Sequence, residues 1–122
     1  MIYLSERRFL SLVRRAYREV PPSVKRALRN LDILVEEWPS PEDLEAVGEG
    51  QTLFGLYTGV PLIDREGPEP PLPDCITIFR QPIMRSCDSE EEAEKEIRIT
   101  LLHEIGHYLG MTEEDLHRAG YG

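Results

Sequence analysis

His103-Glu104-Ile105-Gly106-His107-Tyr108-Leu109-Gly110-Met111-Thr112-Glu113 completes a long apolar-periodic segment in a sequence of 122 residues. Two histidines four positions apart on a helix leave from one face, one turn apart. That spacing lets two imidazole nitrogens reach a single zinc ion at about 2.0–2.1 Å each. Glu104 lies between them and projects beside the same ion, where it can take a proton from a zinc-bound water. Two ligands leave the ion incomplete, so the chain must return a third. Gly110 can end the helix, because glycine adopts the left-handed conformation without steric cost. Glu113 then offers an oxygen ten positions after His103, with Glu114, Asp115 and His117 as neighbouring alternatives.

His-Glu-x-x-His is short enough to arise by chance, so its context has to carry weight. Ile97, Leu101, Leu102, Ile105, Tyr108 and Leu109 recur at helical spacing through and beyond the histidines. The motif therefore sits on a helix with a buried face, where a low dielectric strengthens charge interactions. The competing reading is an amphipathic core helix whose two histidines are only hydrogen-bonded. Three protein ligands would leave a fourth position for water, the mark of a catalytic zinc site.

The sequence predicts one domain over residues 1–122, large enough to hold a core without a structural metal. No uninterrupted apolar run approaches the ~20 residues needed to cross a bilayer, and no charged leader with an apolar stretch opens the sequence. The expectation is a cytoplasmic protein with no membrane partner and with Cys75 and Cys87 reduced, a bridge between them being the alternative. Two cysteines at that spacing do not make a zinc knuckle.

Charge is divided unevenly. Residues 1–30 hold eight Lys or Arg against two Glu (+6), and the remainder six against twenty-one acidic groups (−15). A basic segment raises nucleic acid or a membrane surface as partners. However, Leu4, Phe9, Leu12, Val13, Ala16, Tyr17 and Val20 form an apolar stripe, which makes the arginines the solvated face of a helix. No recognised nucleic-acid module accompanies them, so nucleic acid is disfavoured.

Ser5 caps a helix running to about Val20, stopped by Pro21-Pro22. A short helix is expected over Ser23–Asn30, a strand over Leu31–Trp38, and a helical turn or two from Pro41. Strands follow at Leu53–Tyr57 and Cys75–Arg80, separated by a loop over Gly59–Pro73 with five prolines. Ser89-Glu90-Glu91-Glu92 caps the helix that reaches Tyr108 or Leu109, and Glu113–Ala119 forms a last turn. The fold class is α+β: a small mixed sheet packed by an N-terminal helix and the metal helix.

The blocks Thr52–Leu62, Asp74–Ile83 and His103 through Leu116 resemble the small bacterial zincin-like metallopeptidases, a family long carried as a domain of unknown function. The resemblance implies a compact zincin-like fold with an active-site helix and a proteolytic activity toward peptide or unfolded-protein substrates. Zn2+ is the implied cofactor, His103, His107 and Glu113 the metal ligands, and Glu104 the general base. Metzincins carry His or Asp where this sequence has Glu113, and a methionine turn downstream that is absent among the nine following residues. Gluzincins take their glutamate from a separate, later helix. Glu113 thus combines one group's spacing with the other's chemistry.

The alternative function is a non-proteolytic metal-binding domain with a regulatory or interaction role. His117, Tyr57 and Tyr121 are candidates for stabilising an oxyanion, while Tyr108 is expected in the core. The strand Cys75–Arg80 is either an edge that accepts an extended peptide or an internal strand.

Overall fold

A computed structural model describes residues 1–28, 31–47, 53–59 and 74–118, with the backbone only for residues 46, 47 and 113. Helix α1 (Glu6–Arg18) opens on Ser5, whose hydroxyl accepts the Arg8 N–H at 3.0 Å. A four-residue helix α2 (Pro22–Lys25), strand β1 (Leu31–Glu36) and helix α3 (Pro41–Val47) follow. Strands β2 (Gly55–Thr58) and β3 (Asp74–Phe79) complete a sheet of order β1-β3-β2. β1 runs parallel to β3 with Ile33 opposite Ile76, and β2 runs antiparallel to it with Tyr57 opposite Ile76. Helices α4 (Arg80–Ser86), α5 (Glu90–Tyr108) and α6 (Glu113–Arg118) close the described chain. The mixed α+β architecture is the one the sequence predicts.

The core lies between the sheet and a layer made by α1 and α5. Ala93, Ile97, Leu101 and Ile105 recur every fourth residue on α5 and are all buried. They meet Phe9, Leu12 and Ala16 of α1 and Ile76 and Ile78 of β3 in one cluster. Leu56 and Phe79 form a second, smaller cluster.

Several boundaries differ from expectation. β3 is the central strand, so the edge alternative for Cys75–Arg80 is excluded, and Arg80 begins a helix instead of ending a strand. Sequence patterning does not reveal α4; Pro82 stands in its first turn, where a missing N–H costs nothing. Arg80 fixes this junction. It is 3% exposed, donates to the Leu4 carbonyl at 3.1 and 2.6 Å, and pairs with the Glu37 carboxyl. β1 stops at Glu36 because Glu37 turns toward Arg80 and its carbonyl accepts the Gln81 N–H. α2 is shorter than Ser23–Asn30, tightening into i→i+3 bonds at Ala27 and Leu28. β2 begins at Gly55, not Leu53. The proline-rich loop lies, beyond Gly59, outside the described residues. Cys75 and Cys87 are free thiols, and burial pushes both above the ordinary thiol range.

The basic face of α1 is partly answered by α5. Arg8 grips Glu90 through two bonds, Nε–Oε1 at 2.7 Å and a terminal nitrogen to Oε2 at 2.9 Å, and Arg15 reaches Glu94 at 3.1 Å. The hydrogen bond from Arg8 holds the Glu90 carboxyl below its usual value of 4.5. A carboxyl depressed in the folded state adds stability above its unfolded pKa and loses it as pH falls through the folded one. Glu90→Gln should therefore be less stable than the parent near neutral pH in urea melts, by the small amount expected of an exposed pair. The two curves should converge as the pH falls through the depressed pKa of the folded state.

Candidate metal site

The C-terminal half of α5 is buried nearly all round, and its polar groups are gathered at one place. His103 is 7% exposed and Glu104 1%, with His107 half-buried one turn on. The two imidazole rings stand 4.6 Å apart at 70°. Glu104 Oε1 lies 3.2 Å from His107 Nδ1, and Oε2 lies 3.8 Å from His103 Nε2. One donor atom from each of the three residues falls within 4.8 Å of the others. Two imidazole nitrogens and a carboxyl oxygen are the donor types zinc takes. Donors on one tetrahedral ion stand about 3.4 Å apart; the two imidazoles, one helical turn apart, are the pair that could share such an ion, with the Glu104 carboxyl beside it.

Glu104 is fixed from the sheet. The backbone N–H of Tyr57, on β2, donates to Glu104 Oε1 at 3.0 Å. β2 reaches this depth because residue 55 is glycine: a Cβ there would stand 2.6 Å from Thr100 Cγ2 and 3.2 Å from the Thr77 carbonyl. Sequence reasoning missed this contact, although a glycine inside a strand is itself a signal of close backbone approach.

The exit from α5 is equally determined. Gly110 adopts φ +85°, the left-handed region that favours glycine. The Gly110 N–H donates to the His107 carbonyl at 3.0 Å, and the Met111 N–H to the Gly106 carbonyl at 2.9 Å. This pair of bonds is a Schellman stop. Two residues later, Thr112 and Asp115 exchange side chain-to-backbone bonds at 3.0 and 3.1 Å and start α6. The backbone bond from Thr112 holds the Asp115 carboxyl below its ordinary range. α6 then folds back so that Leu116, fully buried, presses on Gly106.

His103, Glu104 and His107 are thus brought together, and Glu113 opens the helix packed beside them. Glu114 and His117 are exposed, and Asp115 is engaged with Thr112 and Arg118. The Tyr57 ring packs edge-on against Tyr108 at 5.7 Å, and Tyr108 is in the core as expected. Tyr121 lies outside the described residues.

A Cβ on Gly106 would meet Leu116 Cδ2 at 2.2 Å. Gly106→Ala should cost about 1–3 kcal/mol in denaturant unfolding, the usual penalty for overpacking. Adding Leu116→Ala should recover part of the alanine's effect, giving a double variant more stable than the sum of the singles.

The family model of zincin-like metallopeptidases matches residues 28–121. The solved structure of a conserved hypothetical protein from Thermus thermophilus is similar over 97% of this chain and 100% of that one, with a TM-score of 0.57 and 25% identity. No curated protein gives a significant match. The family match spans most of the chain and includes the whole histidine motif, and on that ground the chain belongs to the zincin-like metallopeptidase family.

Proposed function

We propose that this protein is a zinc-dependent peptidase in which His103, His107 and Glu113 hold the metal and Glu104 is the general base. The observation that carries the reading is the cluster of His103, Glu104 and His107 on α5, with one polar atom from each residue within 4.8 Å of the others. Glu113 is favoured over its neighbours because α6 begins there and packs on Gly106, between the two histidines. Asp115 is occupied in capping.

Bound zinc supplies Lewis-acid polarisation to the attacking water and to the scissile carbonyl. Glu104 takes one proton from that water as its oxygen bonds to the carbonyl carbon. As the carbon–nitrogen bond breaks, Glu104 returns the proton to the departing amine. The Tyr57 N–H aims the carboxyl during both transfers. Among the described residues β2 is an outer strand beside Glu104, so an extended substrate can pair along it and bring its carbonyl to the site.

Glu104→Gln should retain the parent's zinc content by elemental analysis. It should lose at least about a hundredfold in hydrolysis of a quenched peptide, the scale of general-base catalysis. Equal turnover in that variant removes the assignment. His103→Ala should lose metal and activity together, and full zinc retention would remove His103 as a ligand. A parent protein that binds zinc and cleaves nothing would favour the non-proteolytic metal-binding reading.

A further inference from the structure

α1 and β1 do not close on one another. Between them runs a groove of about 600 Å³, walled by Leu10, Val13 and Tyr17 on the helix and by Ile33, Leu34 and Val35 on the strand. β1 is an outer strand: among the described residues it pairs only with β3, leaving the other backbone edge of Leu31–Glu36 open. Leu34 is 48% exposed there. An open edge beside an apolar trough has the shape of an absent strand.

Charge says what kind of strand. Arg14 and Arg18 also line the groove. Their neighbours Arg8 and Arg15 are committed to glutamates of α5, but among the described residues Arg14 and Arg18 have no carboxyl partner. Two uncommitted guanidiniums on an otherwise acidic molecule form a local positive site. We propose that this groove docks an extended peptide segment that adds as a strand to β1, with apolar side chains in the trough and carboxylates against Arg14 and Arg18.

The same features disfavour other occupants. A second copy pairing β1 to β1 about a two-fold axis would bring both sets of Arg14 and Arg18 together, like charge against like. A nucleic acid strand would need a stacking platform. The one aromatic ring here, Tyr17, already carries Lys25 Nζ 5.5 Å from its centre. The site is on the edge of the sheet opposite β2, so it does not depend on the peptidase reading.

The test uses the whole chain carrying Glu104→Gln, so that the probe survives. The probe is an end-blocked, fluorescein-labelled peptide with valines and flanking glutamates on one face and threonines on the other. Fluorescence anisotropy should show saturable binding that weakens with salt. Arg14→Glu with Arg18→Glu should weaken it at least about tenfold, with circular dichroism and zinc content unchanged. N-methylation of alternate peptide nitrogens should abolish binding, because the strand ladder cannot form. Equal binding of a lysine-for-glutamate peptide or of the N-methylated peptide would overturn the proposal, as would an undiminished signal in the double-arginine variant. Sedimentation as a dimer without peptide binding would overturn it too, and so would Arg14- and Arg18-dependent binding of single-stranded DNA in place of the peptide.

Discussion

Glu104 is a carboxyl group 1% exposed in the buried C-terminal half of α5, and its burial constrains the elements around it. Removing such a group from water is costly unless hydrogen bonds replace the lost solvation. One replacement is the Tyr57 N–H, a backbone group that cannot be supplied without placing β2 at a fixed depth over α5. That depth requires the bare backbone of Gly55 above Thr100. Register then carries the constraint outward: Tyr57 opposite Ile76, and Ile76 opposite Ile33. A side chain on one helix thereby fixes the height of a three-stranded sheet. Conversely, the sheet holds the carboxyl beside two imidazoles without calling on any loop.

The other side of the cluster is settled by close packing. His103 and His107 flank Gly106, and the missing side chain there admits Leu116. The Schellman stop at Gly110 and the Thr112–Asp115 cap bring the chain back within a few residues, with little freedom in the reversal. An arrangement of this kind places donors on regular, capped elements, which is how precise geometry is maintained in a small protein. The same reversal sets the start of α6, where the proposed third ligand Glu113 stands, a short way along the chain from the histidines. α6 is short, but it is anchored at Leu116.

How much of this could be read from residues alone depends on range. Local signals were legible: Ser5 and Ser89 both cap the helices they announce, and the apolar stripe of α1 is buried as its spacing implies. The joining of His103, Glu104 and His107 was equally visible, because helical spacing alone creates it. Strand order was not, since β3 becomes central only through a parallel partner more than forty residues earlier in sequence. α4 was hidden because Arg80 is stabilised by Leu4 and Glu37, contacts with no local trace. The Tyr57–Glu104 bond was hidden for the same reason: backbone donors carry no residue-type signal.

Helix α5 also separates two kinds of electrostatics. Its first turn, Glu90-Glu91-Glu92, lies at the positive end of the helix dipole and faces the basic α1, so acidic residues are favoured there twice over. Its last turns hold His103 and His107 at the opposite end. At 1.5 Å per residue the span from Glu90 to His103 is about 20 Å, beyond the ~8–10 Å over which exposed charges interact at physiological salt. The solvent-facing pairs of Arg8 and Arg15 therefore dock α1 on α5 at the far end of the helix from the buried cluster. That separation lets a basic helix and an acidic body coexist in one small chain. It also means that the charge left over on α1, at Arg14 and Arg18, acts locally at the groove where it stands.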